Sequence, residues 1–482
     1  MSSHFKSNWS NLMMKFGGTF QFQTTNILII LLVMLIGFAG CTASQQTVKK
    51  PSETPEPPPS PFATMLDTSA VFSSNLTGFA LYDPSADSLI YGQNEDRYFT
   101  PASNTKLFTF YTGLKMLPDS IRALEYTVRG DSLIFWGTGD PSFLHPEFGN
   151  DKVYNFLKNS DKELYFSDSN FDDDLLGPGW SWSDYNYYYQ TEKTPLPMYG
   201  NVAWFKMQTI EQHKVASTDS GLAVSPPYFR QFVNEKSSRE TDDPILFREI
   251  DGNNIAYKPE ADTSTYTLEK PFHYTPQLIT KMLSDTLNKT VTYLKGEAKP
   301  ASTKVMYSIA ADTAYKRMLQ PSDNFIAEQL LLVTASELGK QLNSSSVIEK
   351  MKAEHLNMLP QEPQWVDGSG LSRYNMFTPR SMVKLLEAID AEFDDNQNLY
   401  NLLPAGGERG TIEGWYAAQD GGEPYVFAKT GTLSNNHSLS GYVITESGKK
   451  LLFSFMNNHY VSSSSVVKEA MNKVLWYIHK RY

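Results

Sequence analysis

The sequence predicts a mixed α/β (α+β) protein: an antiparallel sheet flanked by helices, carrying inserted β-rich material. Three observations lead there. Strand-like segments lie at 76–82 and 89–91 near one end and at 439–445 and 450–456 near the other, and an amphipathic helix over 463–480 closes the chain. An early hairpin, late strands and a closing helix are the pieces of one sheet with a helix on its face, built from both ends of the chain. From about 123 to 274 the character changes to short strands and turns, which predicts an insertion open to division into two nested subdomains. Helical stripes return at 275–287, 325–338 and 378–390. The expected limits are therefore 63–122 with 275–482 for the sheet-and-helix domain and 123–274 for the insertion. The acidic run 392–398 reads as a solvated loop.

A chain of 482 residues exceeds one ordinary domain, and 40% apolar content with 13% aromatics suffices for real cores. A formal charge of −11 with no basic stripe excludes nucleic acid as a partner. Eight scattered histidines offer no metal-ligand spacing, so no structural zinc is expected. The single cysteine, Cys41, closes a distinctive N-terminus. Residues 1–26 hold His4, Lys6 and Lys15 and no acid, and the apolar run from Ile27 to Phe38 is too short to span a bilayer comfortably. With Phe38-Ala39-Gly40-Cys41 at its end, this segment resembles a bacterial lipoprotein signal. The resemblance implies a signal peptide over 1–40, lipidation of Cys41 and a periplasmic protein anchored to a membrane, since each buried methylene contributes about 0.8 kcal/mol. Residues 41–62 turn polar and then proline-rich, the composition of an extended tether.

The chemistry is concentrated at 101–108, where Pro-Ala-Ser-Asn-Thr-Lys-Leu-Phe ends a polar loop and opens a helix with Leu107, Phe110, Leu114 and Leu117 on one face. Ser103 and Lys106 stand about one turn apart, so they share a face. A serine hydroxyl becomes a useful nucleophile when a neighbouring base takes its proton, and a lysine can be that base if burial or a second cation lowers its pKa. The helix start adds donors beside a developing oxyanion. Alone the spacing carries little weight: it recurs at Ser3/Lys6, Ser381/Lys384, Ser447/Lys450 and Ser465/Lys468.

Two further motifs follow in order, Ser322-Asp323-Asn324 before a helix and Lys429-Thr430-Gly431 on a strand. S-x-N by itself recurs, and residues of this kind also serve as helix N-caps. Together the three form the signature of penicillin-binding proteins and class A β-lactamases. The interval from Ser103 to Ser322 is far longer than small β-lactamases allow, and the excess coincides with the insertion. Gly137-Thr-Gly-Asp-Pro-Ser-Phe143, Gly177-Pro-Gly-Trp-Ser-Trp-Ser-Asp184 and Asp367-Gly-Ser-Gly-Leu-Ser-Arg373 strengthen the match. From about residue 78 to 457 the chain resembles the D-alanyl-D-alanine carboxypeptidase/endopeptidase family, the class C penicillin-binding proteins.

That resemblance implies a penicillin-binding/β-lactamase-like transpeptidase fold. It implies a serine enzyme cleaving peptidoglycan stem peptides and cross-links, inhibited by β-lactams and needing no cofactor. Ser103 would attack the penultimate D-Ala carbonyl with Lys106 as base. Ser322 would relay a proton to the leaving amine, and Asn324 would fix Lys106 and the substrate amide. Lys429, with Thr430 and Thr432 beside it, would meet the terminal carboxylate, and the N–H groups of Ser103 and Thr432 would hold the oxyanion. Gly431 would let substrate lie against the strand. Arg373 and Asp184 would contact the diaminopimelate end of the donor peptide, or serve as structural ion partners. Trp180, Trp182 and 187–189 read as core of the insertion rather than a stacking platform. Two rival functions remain: a β-lactamase, whose only E-x-x-x-N between Ser322 and Lys429 is Glu392/Asn396, and a non-catalytic peptidoglycan- or β-lactam-binding lipoprotein.

Overall fold

The computed structural model describes residues 61–207, 222–235, 246–257, 267–419 and 421–482. The expected signal peptide, Cys41 and nearly all of the tether lie outside them. The body begins slightly earlier than expected. Pro61–Asp67 is helical, and Phe62 is buried against Phe79, Tyr91, Tyr477 and Tyr482.

The two ends of the chain do build one sheet. Its order is Val426–Leu433, Asn436–Ile444, Lys450–Asn458, Leu76–Asp83 and Ser88–Gln93, antiparallel throughout. Successive side chains of a strand point to opposite faces, and here both faces are covered. Phe79, Leu81, Phe453 and Phe455 face one core, shared with Val467, Met471, Leu475 and Ile478 of the closing helix Ser464–Arg481. Ala80, Tyr82, Leu452 and Met456 face the other, shared with helices Lys106–Met116, Ala311–Leu319, Asn324–Glu337 and Pro379–Asp390. Lys106–Met116 is buried from Lys106 through Gly113, on all sides rather than along the single stripe that its sequence suggests. It is enclosed by other helices, Asn324–Glu337, itself buried from Phe325 to Ser336, Pro379–Asp390 and Ala311–Leu319.

A second sheet, ordered Val291–Tyr293, Glu163–Ser167, Ser132–Gly137, Ser120–Arg129 and Lys304–Ala310, mixes parallel and antiparallel pairs. Its core takes in Leu278, Ile279, Met282, Leu283 and Leu287 of helix Pro276–Leu287, so it draws on residues beyond the expected 123–274 span. Among the described residues the β-rich region also has two three-stranded sheets, one holding Val202–Met207 and Thr267–Pro271, the other Ile255–Tyr257.

The joint between the two cores is polar and specific. Gln329, fully buried on Asn324–Glu337, donates to the carbonyls of Gly139 and Thr194 at 2.9 and 2.8 Å and accepts from Thr194 N at 3.0 Å. The stretch 137–143 therefore lies where the insertion meets the helix behind the site. One expectation fails here. Trp182, Tyr187 and Tyr188 are 76%, 53% and 61% exposed, so they are no core. Their segment has only a short 3-10 turn, Trp182–Asp184, and lacks the regular alternation that would turn side chains inward.

Candidate active site

Ser103 lies in a 3-10 turn, Ala102–Thr105, that runs directly into Lys106–Met116. Ala102 has φ +49°, an unusual left-handed value for a residue with a Cβ. Its surroundings hold it there. The Ala102 carbonyl accepts from Thr105 Oγ1 at 2.9 Å, and Asn104 Nδ2 donates to Lys429 O at 2.9 Å, pinning the turn to the strand Val426–Leu433. Gly431 makes this contact possible: a Cβ there would sit 2.2 Å from Pro101 O and 3.0 Å from Ser103 N. The glycine thus accommodates the nucleophile turn itself, where the sequence suggested room for substrate. Gly370 serves the same turn, since its Cβ would meet Ala102 O at 2.0 Å.

Lys106 is fully buried, and its Nζ has three acceptors for three protons: Ser103 Oγ at 3.0 Å, Asn324 Oδ1 at 2.6 Å and Ser369 O at 2.7 Å. Burial pushes its pKa down to about 8, against the opposing charges of Glu328, Asp323 and Asp367. A lysine so tuned loses its proton readily, and its lone pair then has Ser103 Oγ within reach.

The S-x-N motif divides its labour. Asp323 is the N-cap, accepting from Ile326 N at 3.1 Å, while Asn324 opens the helix and reaches both Lys106 and, through Nδ2, the Tyr189 carbonyl at 2.9 Å. Ser322 is held at φ +66° with its Oγ 2.8 Å from Lys429 Nζ. Lys429 is fully buried and also donates to Thr430 O at 2.7 Å. Burial, then the nearby Lys106 ammonium, force its pKa well below the usual lysine range. Two buried lysines so near each other disfavour a doubly charged floor.

Thr430 Oγ1 pairs with Thr411 Oγ1 at 2.8 Å, and Thr432, exposed at the rim, shares a 2.8 Å hydrogen bond with His437 Nδ1. Burial, reinforced by Lys468 and Lys429, takes His437 down to about 3, so its ring is neutral at ordinary pH. Ser103, Ser322, Asn324 and Thr432 open on a cleft of about 1,020 Å³ that Asp184 and Arg373 also line. The Arg373 guanidinium lies 3.5 Å from Ser434 O, and Asp184 is half-buried. Glu392 pairs with Lys115 at 3.0 Å and Asn396 accepts from Lys450 at 2.8 Å, and neither lines this cleft.

Two buried carboxylates behind the site escaped sequence reasoning. Asp367 accepts from Gly370 N, Ser372 N and Asn375 Nδ2 at 2.9, 2.7 and 2.7 Å, and from Trp180 Nε1 at 2.9 Å. It thereby fastens the 177–184 segment to the 367–373 loop. Glu328, 2% exposed, accepts from Gly368 N at 3.1 Å and Ser369 N at 2.7 Å, holding the peptide whose carbonyl receives Lys106. Burial, then the charge of Asp367, raise Glu328 to about 7. The sequence did carry a signal: a Glu-Gln pair inside the apolar run 325–333.

Comparison with known proteins agrees with this architecture. Among curated relatives, D-alanyl-D-alanine carboxypeptidase DacB of Haemophilus influenzae is 32% identical over 159 residues, 30% of this chain and 31% of the relative. Carboxypeptidase DacB of Mycolicibacterium smegmatis is 26% identical over 166 residues, 33% of this chain and 36% of the relative. The chain thus spans about a third of the length of these two relatives. The D-alanyl-D-alanine carboxypeptidase of Actinomadura sp. (strain R39) is 25% identical over 421 residues, 80% of this chain and 78% of the relative. Among solved structures, penicillin binding protein 4 (dacB) from Haemophilus influenzae shares the fold. Its TM-score is 0.66 at 19% identity, over 87% of this chain and 98% of that one. The model of the D-Ala-D-Ala carboxypeptidase 3 (S13) family matches residues 63–478, which include all three motifs and the loops that join them, and the chain belongs to that family.

Proposed function

We propose that the chain is a serine D-Ala-D-Ala carboxypeptidase/endopeptidase that acts on peptidoglycan peptides through an acyl-enzyme on Ser103. The observation that carries this reading is the buried Lys106 Nζ, 3.0 Å from Ser103 Oγ with its pKa lowered to about 8. Neutral Lys106 takes the Ser103 proton as Oγ bonds to the penultimate D-Ala carbonyl carbon. The N–H groups of Ser103 and Thr432 receive the oxyanion, and losing one such donor typically costs about 2.7–4 kcal/mol of barrier. The C–N bond then breaks, and the proton reaches the departing amine through Ser322 Oγ, which Lys429 holds at 2.8 Å. An incoming carboxylate restores to Lys429 the positive charge that burial disfavours. Water releases the acyl group and returns the proton to Ser103. Asn324 orients the substrate amide, and Thr430, Arg373 and Asp184 line the path of the peptide. A penicillin enters the same ester, but its leaving amine stays tethered, so the ester persists.

We further place the enzyme outside the cytoplasm, lipidated at Cys41 on a bacterial membrane, on the sequence of its first 62 residues. The test of activity is intact-mass spectrometry during incubation with a penicillin, beside Ser103→Ala. A lasting adduct, absent in the variant, is expected, together with release of D-Ala from a D-Ala-D-Ala pentapeptide. Rapid loss of the adduct with consumption of drug would instead identify a β-lactamase. No adduct on folded protein would leave a binding protein.

A further inference from the structure

Ser322, Asn324, Tyr188 and Tyr189 form a partition. The catalytic cleft lies on one side, and on the other is a second cavity of about 660 Å³. Arg317 and Asp323 stand on its peptidase wall, Glu147, Trp204 and Lys270 on the wall supplied by the insertion. Hollows of about 300–1,000 Å³ accommodate whole drug-sized ligands, so this one exceeds the needs of a single departing D-Ala.

Its lining is suited to a peptide bearing both charges. Lys270 is 9% exposed; its Nζ donates to Asn186 O at 3.2 Å and, among the described residues, pairs with no carboxylate. A buried ammonium without a counter-ion is costly, and an arriving anion relieves that cost. Burial, then the charge of Arg248, lower its pKa to about 8, which agrees with the missing partner. Across the cavity Arg317 lies 3.4 Å from Asp323 and 3.7 Å from Glu147, so acids face the same space. The rings of Tyr187 and Tyr189 stack nearly parallel with centroids 5.5 Å apart, and with Trp204 they add aromatic surface to the lining.

Position supplies the remaining step. In the proposed mechanism the departing amine receives its proton through Ser322 Oγ, which Lys429 holds, and Ser322 also lines the second cavity. We propose that this cavity receives the leaving strand of a peptidoglycan cross-link, a second stem peptide whose carboxylate meets Lys270. The reaction is amide cleavage: Ser103 Oγ bonds to the D-Ala carbonyl carbon, the C–N bond to the second stem breaks, and the proton from Ser103 ends on that stem's amine. The inference rests on the DD-peptidase reading above.

Full-length wild type, Lys270→Gln and Trp204→Ala are given a penicillin, a D-Ala-D-Ala pentapeptide and a purified cross-linked dimer of stem peptides. Wild type is expected to cut the dimer. In each variant kcat/KM on the dimer should fall about tenfold or more, while penicillin acylation keeps its wild-type rate and certifies the fold. Unaltered dimer cleavage in both variants overturns the inference, and so does an equal loss of dimer cleavage and acylation in both. A wild type that releases D-Ala but leaves the dimer intact overturns it alone. A wild type that neither acylates nor releases D-Ala removes the DD-peptidase reading as well.

Discussion

The floor of the cleft and its aromatic rim are built in opposite ways. Beneath Ser103, Lys106 and Lys429 are fully buried and bonded to Asn324, Ser369 O, Ser322 and Thr430 O, and Asn104 ties one motif to the backbone of another. Beside it runs the segment that carries Trp182, Tyr187 and Tyr188, three rings that stand mostly in solvent, with Tyr188 lining the cleft. In the floor, position is set by backbone approach and buried hydrogen bonds, so a small change propagates to the reacting atoms. On the rim the segment is tied to the floor through Tyr189 O and the Trp180 indole, while its solvent-exposed side chains make no bond to those atoms. The insertion can therefore alter what the cleft accepts without disturbing how it reacts.

The largest blow to the floor should come from Gly431→Ala. The added methyl carbon would lie 2.2 Å from Pro101 O and 3.0 Å from Ser103 N, so the strand or the turn must retreat. A misplacement of about 1 Å can cost about 100-fold in rate. We expect penicillin acylation to fall by about that factor, with overpacking destabilising the fold by about 1–3 kcal/mol in denaturant titration. Near-normal acylation in this variant would show the floor to be more compliant than its contacts indicate.

Glu328→Gln probes the floor more gently. An amide offers one acceptor oxygen where the carboxylate serves two N–H groups, and an unsatisfied buried donor costs about 1–3 kcal/mol, or roughly tenfold in rate if the Ser369 carbonyl slips. The pH dependence is more telling. Glu328's negative charge favours the Lys106 ammonium, yet burial still brings that group to about 8. In the proposed mechanism the neutral form is the base, so wild-type acylation should rise with pH through about 8. Removing the charge destabilises the ammonium, and the rising limb should move to lower pH. An unshifted limb in stopped-flow acylation would reduce Glu328 to a space-filling role.

The contrast also explains what could be read in advance. The sheet was legible because its strands are short apolar and aromatic runs bounded by turns at the two ends of the chain, buried on both faces, and Ser103, Lys106, Ser322, Asn324 and Lys429 because their motifs sit at element starts or along a strand. Glu328 and Gln329 were not, because their partners, Gly368 and Ser369 for one, Gly139 and Thr194 for the other, come from other segments of the chain. Lys106–Met116 looked one-sided because sequence periodicity registers apolar residues only, whereas Thr109 and Thr112 are buried by bonding to Gly368 O and Phe108 O. The aromatic segment misled for the converse reason. Apolar content suggests burial, but without a helix or strand no periodic geometry enforces it.

Trp182→Ala is the smallest expected change and the sharpest test of the rim. Its neighbour Trp180 is anchored through Nε1 to Asp367, whereas Trp182 is 76% exposed. Substitutions at so exposed a position usually alter stability by no more than about 0.5 kcal/mol. Penicillin acylation should be unchanged, because the path from Ser103 through Lys106 to Asn324 and Ser369 does not include this ring. A stability loss well above that size, measured by denaturant titration, would mean that the indole supports the 177–184 segment and through it Asp367. The rim would then belong mechanically to the floor, and the insertion could not vary independently of the chemistry beneath it.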